Sequence, residues 1–296
     1  MNRREFVIGI GAATAMLALK PSFAGSLDEF SAQARALHRR ALVLDCNCGP
    51  PNFDGLVAPP EVVAQIRAAG VTAVKTTMGG FNASFEDTVA EISAYQAAVE
   101  ANPHVFMQIR EADDFAACKR DGRFGIVFSF ESATCLGDKL DNIDLFRGLG
   151  VRVMQLSYNL PSPFGAGVLS PPGSGLTELG RQAVERMNKL GVALDLSHAN
   201  PATTTAAMAA SKKPVLMTHG GCSAIHPHPR NKSDEQLRAL ADKGGVFGIY
   251  DLFYLAPSPR QPNLDDYMAH MAHALKVCGE DHVGIGSDAG FGAFPT

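Results

Sequence analysis

The chain has 296 residues, 46 % of them hydrophobic, and a formal net charge of −4. That length can bury one large core and suits a single barrel or two smaller domains, while the acidic balance argues against nucleic acid as a partner. Six cysteines, at 46, 48, 118, 135, 222 and 278, lack the dense regular spacing of a disulfide scaffold.

The first segment is a targeting sequence. Arg3-Arg4-Glu5-Phe6 precedes an apolar stretch from Val7 to Leu19, and Ser22-Phe23-Ala24 has the small-residue character of a cleavage site. Residues 1–24 therefore read as a twin-arginine signal peptide, and 25–296 as the folded domain of a periplasmic or secreted protein. The apolar stretch is short for a bilayer, so no stable membrane span is expected. Without it the chain keeps 23 basic and 29 acidic residues, a formal charge of −6.

Apolar, β-branched runs then recur at 41–45, 72–76, 105–109, 125–130, 152–157, 192–197, 214–218, 245–251 and 282–287. Helical spacing separates most of them, at 60–69, 85–101, 176–190, 201–210, 233–243 and 264–278. Regular alternation of strand and helix favours a parallel sheet with helices outside, and the fold expected is a TIM-type (β/α)8 barrel. Nine runs are one too many. The run at 105–109 is excluded from the ring because a further short helical segment, 111–120, intervenes before 125. An open doubly wound sheet is the alternative, but no Gly-x-Gly-x-x-Gly follows an early strand. Gly284 and Gly286 lie within a strand, where close packing is the ordinary reading.

A Pro/Gly-rich loop from Leu160 to Gly175 is long enough to form a site wall or lid, or to be plain surface. The sequence from Asp288 to Thr296 leaves no room for a helix after the last strand, so the barrel is expected either to stay uncapped there or to be truncated.

Chemistry collects at the ends of the runs. His198 closes 192–198, His219 closes 214–219, Glu131 closes 125–131 and Asp288 closes 282–288. A lone His or Asp after an apolar run is more often a cap or a packing residue. Four potential ligands at one structural address are another matter, because a parallel barrel assembles its active site at the C-terminal ends of its strands.

Read in order, Gly150-Val-Arg-Val-Met-Gln-Leu-Ser-Tyr-Asn159, Asp195-Leu-Ser-His198, Thr218-His219, His228-Pro-Arg-Asn-Lys-Ser-Asp234 and Gly284-Ile-Gly-Ser-Asp288 resemble the membrane (renal-type) dipeptidase family, peptidase family M19. The resemblance implies a β/α barrel that hydrolyses dipeptides with two zinc ions bridged by a glutamate, and it implies a homodimer. Carried over by position, Glu131 is the bridge and His198 and His219 complete one zinc site. Asp288 belongs to the other zinc and acts on the attacking water, and Arg230 holds the substrate carboxylate, a task suited to a planar bidentate donor.

Two departures matter. The family carries His-x-Asp at the end of the first strand, whereas this chain reads Leu44-Asp45-Cys46-Asn47-Cys48-Gly49. Without a gap, Asn47 and Gly49 replace both ligands; with one residue deleted, Cys46 and Cys48 take their positions. Thiolates are good zinc ligands, and i, i+2 spacing points both to one strand face. Two buried or disulfide-capable cysteines are the alternative. Tyr158 stands where the family places a histidine near the substrate carbonyl; it can donate to an oxyanion but carries no positive charge at neutral pH.

The expectation is a hydrolase of dipeptides or a dipeptide-like amide that uses one zinc ion rather than two, on Glu131, His198 and His219, to activate the attacking water, with Asp288 as proton acceptor. The alternative is a catalytically silent periplasmic small-molecule-binding protein on the same barrel, motivated by the lost His-x-Asp pair. Redox chemistry by Cys46 and Cys48 is a third reading, weakened because Cys-x-Cys is not the usual two-residue-spaced motif. His104, His226, His228, His270, His273 and His282 are read as strand-entry, loop, packing or surface residues.

Overall fold

The computed structural model of the chain describes residues 31–291, and the proposed signal peptide lies outside them. In chain order the elements are α1 (Ala32–Arg40), β1 (Leu44–Asp45), β2 (Cys48–Gly49), α2 (Pro60–Ala69), β3 (Ala73–Thr77), α3 (Phe85–Ala101), β4 (Phe106–Gln108), α4 (Asp113–Asp121) and β5 (Phe124–Phe130). There follow α5 (Asp141–Leu149), β6 (Val151–Gln155), α6 (Glu178–Leu190), β7 (Ala193–Asp195), α7 (Pro201–Ala210), β8 (Leu216–Gly220), α8 (Asp234–Asp242), β9 (Val246–Ile249), α9 (Leu264–Cys278), β10 (Val283–Ile285) and β11 (Ala289–Gly290).

Eight parallel strands close on themselves in the order β1, β3, β5, β6, β7, β8, β9, β10 and back to β1. This is the (β/α)8 barrel expected from the alternation of runs. β4, the surplus run, is a strand but lies outside the ring. It pairs with the first three residues of β5, along the edge whose last three residues pair with β6. The short segment behind it, α4, sends Phe115 and Cys118 to pack with Ile109 against Ala73, Val127 and Val153, so this excursion closes one mouth of the barrel. Helix α5 was not anticipated from spacing. Among the described residues no helix is long and apolar enough to cross a membrane.

Parallel strands covered by helices are buried on both faces, and all seven positions of β5 are. Their side chains still alternate. On β5, Phe128 and Phe130 pack outward, Phe130 meeting Phe146 of α5 edge-on at 4.7 Å. Val127 and Ser129 face inward, and the next inward position is Glu131. The same period on β3, β6 and β7 sets Ala73, Val153 and Ala193 in an apolar lower layer. Lys75, Gln155 and Asp195 form a polar layer above it, joined by Lys75 Nζ to Ser129 Oγ at 3.2 Å and Gln155 Nε2 to Asp195 Oδ2 at 3.0 Å. The polar layer is the floor of the site.

Backbones approach closely where β8, β9 and β10 meet. A Cβ on Gly286 would lie 1.8 Å from the Thr218 carbonyl oxygen, and one on Gly248 2.1 Å from it, so close packing requires glycine at both positions. Beyond the ring, β2 and β11 form a small parallel pair, Cys48 opposite Ala289 and Gly49 opposite Gly290, which joins the loops that follow β1 and β10.

Helix ends are fixed locally. Thr177, Ser233 and Asn263 cap α6, α8 and α9, the last two in reciprocal capping boxes. Phe146, fully buried against Phe130 and Phe85, belongs to the outer core and touches no site residue. Phe146→Ala should lower unfolding free energy by about 3–5 kcal/mol, read from urea denaturation, while metal content per folded chain stays unchanged.

Candidate metal centre

His198 and His219 arrive from adjacent strand ends, and their hydrogen bonds fix which ring nitrogen is free. His198 Nδ1 lies 2.8 Å from the Asn159 carbonyl oxygen Oδ1, an acceptor, so Nδ1 carries the proton and Nε2 the lone pair. For His219 the assignment takes one more step. Thr218 Oγ1 gives its hydrogen to Asp195 Oδ2 at 2.6 Å and must therefore accept from His219 Nδ1 at 3.1 Å, which again leaves Nε2 unprotonated. These two Nε2 atoms face each other at 2.9 Å, and Glu131 Oε1 lies 3.6 Å from that of His219. The three ligand atoms fall within 4.8 Å of one another. Two imidazole lone pairs and a carboxylate oxygen converging within that span are a donor set suited to zinc.

Burial drives both imidazoles well below the usual histidine range, with Arg230 the next cause, so both are held neutral, the metal-binding form. Burial pushes the Glu131 carboxyl up to about 7, opposed by Lys75 and reinforced by Asp288. Asp195 anchors the frame beneath. Its carboxylate accepts from Ser197 Oγ and N at 2.6 and 3.0 Å, from Thr218 Oγ1 and N at 2.6 and 3.2 Å, and from Gln155 Nε2 at 3.0 Å. Lys75 Nζ stands 3.8 Å away. Gln155 Oε1 in turn accepts the His198 backbone N–H at 3.3 Å, and Ser197 Oγ accepts that of His219 at 3.2 Å. One buried carboxylate thus orients both histidines.

Arg230 is buried at the same place. Its Nη1 donates to the Ser197 carbonyl, its Nη2 lies 3.2 Å from His198 Nε2, and its guanidinium sits 5.9 Å from the Tyr250 ring centre. Tyr158 stacks on His198 with ring centres 4.0 Å apart and on Phe81 at 5.9 Å. Burial and the nearby Glu131 raise its hydroxyl to about 12, so it is a donor at neutral pH. The loop from 160 to 175 is a wall of the site: Val168 N–H bonds to the His198 carbonyl at 3.0 Å and Asn200 N–H to the Ala166 carbonyl at 3.0 Å.

Asp288 reaches the centre through Asn47. The Asn47 amide Nδ2 lies 2.6 Å from Asp288 Oδ1 and 2.8 Å from Glu131 Oε1. Cys46 and Cys48 correct one expectation: neither belongs to the ligand cluster, and both thiols are free. β1 ends at Asp45, and the bend at Cys46 and Asn47 turns the residue between the cysteines to Glu131 and Asp288, so the ungapped register holds. Burial, with Asp45 adding to it, pushes both thiols up to about 12, away from the thiolate form. Of the other histidines, His270 is structural, accepting the Cys222 N–H at 2.8 Å, and His228 stacks on Tyr254 at 4.1 Å.

The sequence pattern of the membrane dipeptidases matches residues 57–296. The chain belongs to the membrane dipeptidase family, peptidase family M19. An uncharacterised dipeptidase of Schizosaccharomyces pombe is 33 % identical over 184 residues, covering 60 % of this chain and 44 % of that protein. A dipeptidase of Claviceps purpurea, tcpJ, is 29 % identical over 210 residues, 70 % of this chain and 49 % of its own length. The chain thus spans about half the length of these curated relatives. An amidohydrolase from Pseudomonas aeruginosa superposes with a TM-score of 0.77 at 30 % identity, over 86 % of this chain and 76 % of that one.

Asp195, Asn159 and Lys75 are members of this site to which motif reading gave no role, and Asn47 stands at the replaced ligand position of the ungapped register. Asp195 had a legible signal, since it shares an inward face with Ser197 and lies in the same Asp-Leu-Ser-His stretch as His198. Asp195→Asn should weaken zinc affinity about 10- to 100-fold, measured by competition with a chromogenic chelator. Burial raises all six thiols, at 46, 48, 118, 135, 222 and 278. A thiol reagent at pH 8 should therefore label the native chain very slowly and all six after unfolding. Rapid native labelling of Cys46 or Cys48 would restore the thiolate reading.

Proposed function

We propose that this chain is a zinc-dependent hydrolase of dipeptides, or of a small dipeptide-like amide, with one zinc ion held by Glu131, His198 and His219. The observation that carries the proposal is the pair of facing, unprotonated imidazole nitrogens beside Glu131. Zinc supplies Lewis acidity there, polarising the carbonyl and bringing water closer to ionisation at neutral pH. Family membership and the dipeptidase names of the relatives support the substrate class.

The remaining steps belong to side chains. Asp288 is half-buried, and desolvation raises its carboxyl above the usual range, which suits a group that takes a proton from the attacking water and returns it to the leaving amine. Arg230, anchored to the Ser197 carbonyl by one nitrogen, would offer the N–H edge of its planar fork to the substrate carboxylate. Tyr158, kept protonated, donates to the developing oxyanion. A cavity of about 60 Å³ lined by Phe81, Asn82, Ser132, Thr134, Tyr158 and Leu160 lies beside it and suits a small substrate group. The twin-arginine sequence at Arg3-Arg4 supports action in the periplasm or outside the cell.

Zinc-loaded protein should hydrolyse members of a dipeptide panel, and chelation or His219→Ala should abolish this. Asp288→Asn should keep the zinc and lower kcat by about a hundred- to ten-thousand-fold. Zinc-loaded protein that binds dipeptides without cleaving any would instead establish the silent binding protein.

A further inference from the structure

Glu131 and Asp288 are two carboxylates pressed together in a nearly dry site. Like charges so placed repel, and the pair persists only if something positive or hydrogen-donating stands between them. In the family resemblance that something is a second zinc ion. Here it is the Asn47 amide, whose nitrogen lies 2.8 Å from Glu131 Oε1 and 2.6 Å from Asp288 Oδ1. A carboxamide nitrogen has two N–H donors and no lone pair to offer, so both donors are spent on the two carboxylates and none of its character is ligand-like.

Asn47 is also held where it stands. It is 5 % exposed, its N–H donates to Asp45 Oδ1 at 3.0 Å, and its carbonyl accepts the Asp288 N–H at 2.7 Å. Asp288 is therefore gripped at backbone and side chain by one residue, in a left-handed conformation with φ 58° that aspartate tolerates better than most residues. The β2–β11 pair continues the clamp at Cys48–Ala289. Gly49 has no side chain, Cys46 and Cys48 lie outside the ligand cluster, and the Asp45 carboxylate is taken up by the backbone N–H groups of Asn47 and Ser287.

The residues present fit one ion and do not fit a second. We infer that Asn47 occupies the place of a second metal ion, tying Glu131 to Asp288 and aiming Asp288 at the reacting water, so that the centre is mononuclear. Asn47 is on this account a positioning residue. The inference rests on the zinc-hydrolase reading, and metal stoichiometry separates the failure of one from the failure of the other.

Protein saturated with zinc and freed of excess by gel filtration should retain one equivalent per chain by elemental analysis. Asn47→Asp, which sets a third carboxylate where the amide was, should retain two. Two equivalents in the unaltered chain would overturn this inference and leave the hydrolase standing; none would overturn both. A folded Asn47→Asp variant that still holds one ion would show that the amide occupies no cation position. Asn47→Ala supplies the check that adds no charge: it should keep one zinc and an unchanged KM while kcat falls at least tenfold, and an undiminished kcat would refute the positioning role.

Discussion

Everything in the site depends on one carboxylate that touches neither ligand directly. Asp195 takes five hydrogen bonds from Ser197, Thr218 and Gln155. By claiming the Thr218 hydroxyl hydrogen it turns that oxygen into an acceptor, which forces the proton of His219 onto Nδ1 and frees Nε2. Through Gln155 and Ser197 it also sets the backbone of both histidines. The convergence of lone pairs that makes a metal centre is thus imposed from below, by groups in the barrel's polar middle layer rather than by the ligands themselves.

Much of this was legible in the sequence because a parallel barrel writes its chemistry at the ends of apolar runs. Glu131, His198, His219 and Asp288 each close such a run, and the structure gathers them at one end of the ring. The surplus run at 105–109 could be set aside for its short following helix, and it does fall outside the closed ring. Helix α5 begins after Leu140 with no side-chain cap, so no start signal marks Asp141–Leu149 in the sequence.

Register was what the sequence left open. With Leu44 paired to inward-facing Ala73, strand parity would turn Cys46 and Cys48 inward, but β1 ends at Asp45 and the chain bends at Cys46 and Asn47. That bend, and not strand alternation, gives the inward position to Asn47. Its partner Asp288 is 241 residues away, a separation over which no local pattern speaks. Lys75 was similarly hidden, since one lysine in the run 72–76 looks like an exposed position on a strand, whereas it is buried with its ammonium between Ser129 and Asp195.

That buried lysine bears on why the interior is built as it is. Lys75 and Asp195 are 3.8 Å apart with almost no solvent, a pairing whose desolvation cost rivals its Coulomb gain, so stability alone gives no reason to keep it. The reason lies in the charge balance of the layer above. Glu131 and Asp288 carry negative charge into a dry cavity, and the fixed cations that oppose them there are Lys75 and Arg230. Burial is the main reason His198 and His219 stay neutral, and the same two cations, with Lys232, add to it, since any proton on those rings would join positive charge already present. A polar barrel floor is therefore a liability to folding, offset by the aromatic and aliphatic core outside the strands. It is retained because it keeps two carboxylates available and two imidazoles unprotonated at the same point in space.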